Sequence, residues 1–271
     1  MTTSLTFHQI YPEQKMPVKA QSYSHNTVKR AELFCHPFKQ ARDAGSYFFS
    51  PIAFEFKLTD EHLLLRTLRD DGNYKEVAID KAKAPSNNHF LLLQDTSPTE
   101  SERCLDIYRH AMRDQDVPDF IDRDSFGFYE VMVNAFVEEE PHDFFLQIWL
   151  GGVVETPEGV SVLVKHPSNT QMDPGFLCLD ATIDTHQWRG WLAVVIKPQR
   201  KNEWVSISTD QPICQIVGAN TLIDDLHCVP YKKVDLDTFM EPIRWHIFDP
   251  SYGRKAGKYQ REIRNKQGSN V

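Results

Sequence analysis

Three side chains with catalytic potential occupy alternate positions late in the chain. Asp184, His186 and Trp188 supply a carboxylate, an imidazole and an indole. Alternate residues of a β-strand project from the same face, so a strand through these positions would bring the three groups together. A carboxylate beside an imidazole suits a general base with an orienting partner, and an indole suits a stacking surface. The spacing predicts Asp184 and His186 as catalytic residues; the alternative is an aspartate in a turn at the end of a strand.

A polar loop earlier in the chain offers the groups that hold an anion. Lys165, Ser168 and Asn169 combine a cation with hydroxyl and amide donors, and Pro167 interrupts the loop between two apolar segments. Such donors can bind a phosphate or a carboxylate. The alternative is a simple connection between strands, because these residue types are frequent in turns. We predict Lys165, Ser168 and Asn169 as ligand-binding residues.

Two tryptophans extend this predicted site. Trp188 and Trp191 are three residues apart, so in a continuous strand they face opposite sides, and one of them lines a cleft or a subunit contact. We expect the loop 165–170 and the corner 184–191 to form the mouth of a β-barrel. Trp188 and Trp191 are then further ligand-binding residues.

Neither metal ligands nor cysteines form a recognisable site. Ligand-type residues stand close together at three places, which are Cys35-His36, His142-Asp143 and Asp184-x-His186. None of these gives an unambiguous set of two histidines and a carboxylate. The five cysteines are odd in number, scattered and without a CxxC spacing, which argues against a disulfide scaffold or a zinc site. The sequence predicts no metal site and a reduced, cytoplasmic protein, and it leaves any cofactor unknown.

The segments around these residues have the pattern of short strands. Residues 47–49 and 52–57 are apolar runs, and the second alternates apolar with polar side chains. The sequence Asp-Asp-Gly-Asn at 70–73 predicts a hairpin turn. Residues 127–218 are rich in β-branched and aromatic residues with turn residues at short intervals. This pattern is typical of an antiparallel sandwich or barrel.

One helix is predicted within this strand pattern. The sequence Ser-Pro-Thr-Glu at 97–100 is a capping box with proline at the first helical position, and apolar residues then recur at helical spacing. We divide the chain into an N-terminal arm on the surface at 1–30 and a β-rich core domain at 31–230, with this helical insertion near 98–116. A C-terminal extension at 231–271 ends in a basic tail.

Length, charge and hydropathy exclude several classes of protein. The chain has 271 residues, a formal net charge of −8 and 41% hydrophobic residues, which fits a soluble globular protein. The acidic balance argues against broad binding of nucleic acids or anionic membranes. No apolar run reaches the length of about 18 residues that a membrane span needs. We expect a small-molecule or peptide ligand and no nucleic-acid or membrane partner, and the sequence leaves a homo-oligomer open.

Several stretches of the chain resemble a bacterial family that is grouped as a domain of unknown function. The resemblance lies in residues 41–51, 151–169, 181–192 and 211–216. A more distant similarity connects these stretches to the dUTPase and dCTP-deaminase superfamily. There a strand is entered through Ile-Asp, an aromatic residue and a glycine follow, and the chain returns through Ile-x-Gln-Leu. The corresponding residues here are Ile183-Asp184, Trp188, Gly190 and Ile213-Cys214-Gln215-Ile216.

The resemblance implies a fold and one chemical role. It implies a mostly β, β-clip-like (dUTPase-like) barrel or sandwich with one or two packing helices. It also implies that Asp184 activates water, as the matching aspartate does in dUTPases. The phosphate-holding element of dUTPases falls near residues 165–168, which keep a cation and a hydroxyl. The glutamate that serves dCTP deaminases falls at about Val195, so the resemblance does not imply deamination.

Three functions are compatible with these features. The first is a biosynthetic protein that binds a small metabolite or peptide in a cleft at the barrel mouth, with or without modifying it. The second is a nucleotide pyrophosphatase-like hydrolase in which Asp184 activates water and Lys165 holds a phosphate. The third is a non-catalytic binding or assembly module whose exposed aromatic residues form an interface. Whether the chain is an enzyme stays open at this point.

Overall fold

The computed structural model describes slightly more than half of the chain. The described residues are 3–9, 14–23, 35–68, 72–80, 89–90, 133–137, 144–169, 173–186 and 191–229. The helix predicted at 98–116 and the C-terminal extension predicted at 231–271 lie outside them.

The described residues are mostly β-structure, as predicted. They also contain a 3-10 turn at Ala20–Ser22 and one α-helix, α1, at His36–Asp43. The strands are β1 (Ser4–Gln9), β2 (Val18–Lys19), β3 (Ser46–Phe49), β4 (Phe54–Leu58), β5 (His62–Leu68), β6 (Tyr74–Asp80), β7 (His89–Phe90), β8 (Val133–Val137), β9 (Phe144–Glu155), β10 (Val162–Lys165), β11 (Phe176–Cys178), β12 (Ala181–Ile183), β13 (Trp191–Pro198), β14 (Val205–Ile207), β15 (Pro212–Gly218) and β16 (Asp225–Val229).

These strands form three sheets. The first has the order β11-β13-β9-β1-β16, with β8 also paired to β9 and β7 paired to β8. The second has the order β12-β10-β15-β3-β2, and the third has the order β14-β4-β5-β6. Neighbouring strands are antiparallel except for β1 and β16, which are parallel. In the described part of the chain the sheets do not close into a barrel.

The three sheets share one hydrophobic core. Phe7 of β1, Phe56 of β4 and Leu65 of β5 are completely buried in it. The rings of Phe7 and Phe48 meet edge to face at 5.5 Å between centroids, which joins the first sheet to the second. Burial of each such side chain contributes about 1.5–3 kcal/mol relative to leaving it in water. The core is therefore the common support for the loops that carry the candidate site.

Local patterns predicted several of these strands correctly. The run at 47–49 lies in β3, and the alternating run at 52–57 contains β4, in which Phe54 and Phe56 are buried while Glu55 is partly exposed. The predicted turn joins β5 to β6, which pair with Leu68 opposite Tyr74. Gly72 has a φ of 81°, a conformation that glycine adopts without strain.

The strand β3 is buried on both of its faces. Phe48 belongs to the main core, whereas Tyr47 and Phe49 pack on the other face in a small cluster with Ala20. Tyr23 covers this cluster, with its ring centroid 5.6 Å from that of Tyr47. In the segment 14–23, β2 thus extends the edge of the second sheet, and Ala20 and Tyr23 lie on the outer face of β3.

The first strand corrects the expected N-terminal surface arm. Ser4–Gln9 lies inside the first sheet between β9 and β16, and Leu5 and Phe7 are fully buried. The composition of a six-residue segment does not show whether it is buried. The strands that pair with β1 come some 150 and 220 residues later in the chain, so the local sequence does not indicate this pairing.

Two adjacent glycines let β9 change partners beside β1. Residues 144–148 of β9 pair with β8, and residues 152–155 pair with β1. Gly151, between these stretches, has a φ of 70°. A Cβ on Gly152 would lie 2.4 Å from the Phe7 ring, so only glycine allows the ring to pack against this backbone.

We predict that Phe7 carries a large part of the stability of this fold. Phe7→Ala removes a fully buried ring and should lower the free energy of unfolding by about 3–5 kcal/mol. Phe38→Ala, on the outside of α1, is the matched control and should change it by less than about 0.5 kcal/mol. Urea denaturation measures both values, and equal effects would contradict an interior position for β1.

Candidate functional site

The short strand β10 positions both groups of predicted site residues. It pairs with β12 on one side, with Val162 opposite Ile183 and Val164 opposite Ala181. On its other side it pairs with β15, where Lys165 lies opposite Gln215. Val162 and Val164 anchor the strand in the main core. The residues that precede β10 in the chain therefore lie at one end of the paired strands, and the residues that follow it lie at the other end.

Three turns meet at the N-terminal end of β10. Residues 156–161 lead into the strand, residues 184–186 follow β12, and residues 219–220 follow β15. We call this region the Asp184 corner. The Ser161 hydroxyl donates to Asp184 Oδ1 at 2.6 Å, and the Asp184 side chain is partly buried. The Asn220 side chain binds the Ser161 amide and the Gly159 carbonyl oxygen, which holds the third turn against the first.

A buried pair of hydroxyls fixes the turn after β12. Thr156 Oγ1 donates to the Val160 carbonyl oxygen at 2.7 Å and lies 2.6 Å from Thr185 Oγ1. Since the Thr156 proton goes to Val160, the Thr185 hydroxyl donates to Thr156. His186 Nδ1 lies 3.3 Å from the same carbonyl oxygen and donates to it in the tautomer that carries the proton on Nδ1.

The strand alternation predicted for Asp184, His186 and Trp188 is wrong where the structure tests it. β12 ends at Ile183, and Asp184 and His186 lie in the following turn, in which the Thr185 amide donates to the Ile183 carbonyl oxygen. They approach the same corner through this turn and not through a shared strand face. Trp188 lies outside the described residues. Trp191 is the first residue of β13.

The residues Lys165, Ser168 and Asn169 lie at the C-terminal end of β10, beside α1. We call residues 165–169 the Lys165 loop. The Ser168 amide donates to Gln215 Oε1 at 3.0 Å. Asn169 has a φ of 57°, and its side-chain amide donates to the Phe38 carbonyl oxygen at 3.2 Å. The positive φ and the contact with α1 account for the asparagine at 169, whereas the bond at 168 uses the backbone amide.

A buried glutamine connects the Lys165 loop to the end of α1. Gln215 is fully buried, and its Nε2 donates to the carbonyl oxygens of Ala41, Arg42 and Ala44 at 3.0, 3.2 and 2.6 Å. These carbonyl groups end the helix and have no partner within it. Gln215 therefore serves as the C-terminal cap of α1.

The two halves of the predicted site are separated by the length of β10. Asp184 follows the residue paired with Val162, so it lies level with Ser161. Lys165 stands four residues further along the strand, which corresponds to roughly 13 Å at about 3.3 Å per residue. Asp184 and His186 contact the adjacent residues Ser161 and Val160, whereas Lys165, Ser168 and Asn169 lie at the other end of β10.

His166, in the Lys165 loop, has a structural partner that sequence spacing did not indicate. Its Nδ1 accepts a hydrogen bond from the Cys178 amide at 3.2 Å, and its ring packs edge to face on Phe176. Burial lowers the pKa of His166 below its usual value of 6.5, against the opposing effect of Asp180. The neutral imidazole is the form that can accept from Cys178.

The two buried cysteines, Cys178 and Cys214, are in an environment that makes their thiols unreactive. Burial raises the pKa of Cys178 to about 12 and that of Cys214 well above its usual value of 9.0. Both thiols are therefore protonated at neutral pH and unsuited to nucleophilic attack. In the described ranges no three His, Cys, Asp or Glu side chains are grouped so that they could hold a metal ion.

Comparison with known proteins adds no relative. No family model, no curated protein and no solved structure matches the chain. The resemblance to the bacterial family and to the dUTPase superfamily consequently stays a prediction. None of the described helices is both long and apolar enough to cross a membrane.

Sequence reasoning missed Ser161 and Gln215, which organise the two ends of β10. Ser161 belongs to no recognisable motif, and Gln215 was named only within the segment that resembles Ile-x-Gln-Leu, without a role of its own. A buried glutamine between apolar residues in Ile213-Cys214-Gln215-Ile216 was the available signal, because a buried amide needs hydrogen-bond partners.

We predict that His166 makes folding sensitive to mild acid. In the unfolded chain a histidine titrates near 6.5, whereas the folded protein keeps His166 neutral to lower pH. The unfolded state then binds more protons, so the free energy of unfolding falls as the pH drops below about 6.5 and stops falling below the folded pKa.

Urea denaturation on both sides of this pH range checks the prediction. His166→Gln should reduce the loss of stability on acidification, and His36→Gln, at an exposed position of α1, should leave it as in the wild type. Equal acid sensitivity of wild type and His166→Gln would rule out this role.

Proposed function

We propose that the chain binds a small metabolite or peptide at the Asp184 corner. The carrying observation is the 2.6 Å hydrogen bond between Ser161 Oγ and Asp184 Oδ1, at the place where three turns meet. It fixes a partly buried carboxylate in one orientation, and His186, in the same turn, contacts the carbonyl oxygen of Val160. Groups held in place in this way lose little conformational entropy when a ligand binds.

The charges of the corner favour a ligand that donates hydrogen bonds, such as an amine. Asp184 and Glu158 are the ionisable acids of the described turns, and residues 156–161, 184–186 and 219–220 contain no lysine or arginine. An ammonium group has three donors and a positive charge, both of which a carboxylate accepts. A primary amine or the amino terminus of a peptide is thus the ligand group that we propose.

The same charges give less support to a nucleotide pyrophosphatase. A phosphate chain needs cations near the attacking water, and Lys165 lies at the other end of β10. The dUTPase-like, β-clip relationship, a cytoplasmic location and a biosynthetic role are further parts of the proposal. Short antiparallel strands around one core support the first of these.

We predict that Asp184 carries the affinity for amines. Asp184→Asn keeps the size of the side chain and removes its charge, so affinity should fall about tenfold or more. Asp180→Asn is the matched control, because Asp180 is an exposed aspartate at the opposite end of the same strand β12. Titration with free amino acids, primary amines and dipeptides, followed by amide shifts of Ser161, Asp184 and His186, measures the effect.

Two results would overturn this proposal. One is that none of these compounds shifts the amides of the corner. The other is release of pyrophosphate from nucleoside triphosphates with Mg²⁺ by the wild type and its loss in Asp184→Asn, which would establish the hydrolase instead.

A further inference from the structure

The most deeply buried arginine of the described chain has few partners. The side chain of Arg42, in the last turn of α1, is only 9% exposed. Its Nε donates to Oδ1 of the neighbouring Asp43 at 2.9 Å. A guanidinium has five N–H donors, and in the described part of the chain Nη1 and Nη2 of Arg42 have no hydrogen-bond acceptor.

Two arginines that are more exposed than Arg42 have more interaction partners. Arg66 is bound through Nε to Glu55 at 2.7 Å and lies 3.9 Å from the centre of the Trp204 ring. Arg200 binds both the side chain and the carbonyl oxygen of Asp173. Burial of a charge is costly unless the charge is paired, so a buried arginine is expected to have more partners than an exposed one. In Arg42 the enclosed Nε is paired, whereas Nη1 and Nη2 are not buried donors without a partner and so are open to solvent.

The surroundings of Arg42 hold its backbone rigidly. Its carbonyl oxygen accepts from the Tyr47 hydroxyl at 2.6 Å and from Gln215 Nε2 at 3.2 Å. Burial raises the pKa of Tyr47, so the phenol is neutral and adds no negative charge beside the guanidinium. Asp43 contacts Nε only, which leaves the fork of Nη1 and Nη2 for a second acceptor.

We propose that Arg42 anchors an anion site that takes the carboxylate of a small molecule. The fork of Nη1 and Nη2 matches the two oxygens of a carboxylate in a bidentate contact. A singly charged carboxylate is also repelled less by the neighbouring Asp43 than a doubly charged phosphate is. This site lies beside β3 and is independent of the amine site proposed at the Asp184 corner.

Acetate is the probe that tests the site. In the wild type, titration with sodium acetate against sodium chloride at equal ionic strength should shift the Nη signals of Arg42 in nitrogen-resolved spectra and saturate. Sodium phosphate at the same ionic strength should act more weakly. Since this measurement needs no variant, it decides the proposal even if substitutions at the buried position impair folding.

Variants separate this site from other arginines and from the Asp184 corner. Arg42→Lys keeps the charge but loses the fork, so acetate should bind about tenfold more weakly. Arg66→Lys, at an arginine that already has partners, and Asp184→Asn should leave acetate binding unchanged. Absence of saturable acetate shifts at Arg42, or stronger binding of phosphate, would overturn the proposal. A loss of acetate binding in Asp184→Asn would also do so, because the two sites would then not be independent.

Discussion

The pairing of β10 between β12 and β15 is the constraint on which the account of the site depends. Four residues with two valines in the core fix which turns meet at each end of the second sheet. Slippage by one residue would turn Val162 and Val164 out of the core and bring Leu163 and Lys165 in, which the charge of the lysine forbids. The register is therefore strongly specified, and the positions of the candidate groups follow from it.

The two ends of β10 have different chemistry for this reason. At the Asp184 corner, hydroxyls, an amide and a carboxylate bind one another across three turns, and the described residues contribute no basic side chain other than histidine. Near the other end, Gln215 caps α1 and thereby orders Arg42 and the Lys165 loop. An acceptor-rich region and a cationic region thus occur on one small sheet, about the length of a strand apart.

Local sequence patterns were sufficient to predict those strands that pair with strands close to them in the sequence. The alternation at 52–57 and the turn at 70–73 predicted β4 and the β5–β6 hairpin, since each pairs with strands close in sequence. β1 was missed because its partners are distant in the chain. The helix α1 was missed because it begins at His36-Pro37 and has little apolar surface, so its stability depends on packing and on the cap from Gln215.

The arrangement of the candidate residues was not predicted. Asp184 and His186 lie in a turn after Ile183 and not in a continued strand. Strand ends depend on where backbone pairing stops, and neither composition nor spacing around 184 shows that point. The separation of Lys165 from Asp184 was not predicted for a similar reason. It depends on the pairing of β10 with β12, whose paired residues are 17 to 21 positions apart in the sequence.

The register of β10 against β12 can be measured directly by nuclear Overhauser effects between backbone protons of the two strands. The account predicts contacts that join Val162 to Ile183 and Leu163 to Thr182, with none between Lys165 and Asp184. Contacts between Lys165 and Asp184 would contradict it, because the lysine and the carboxylate would then share one site.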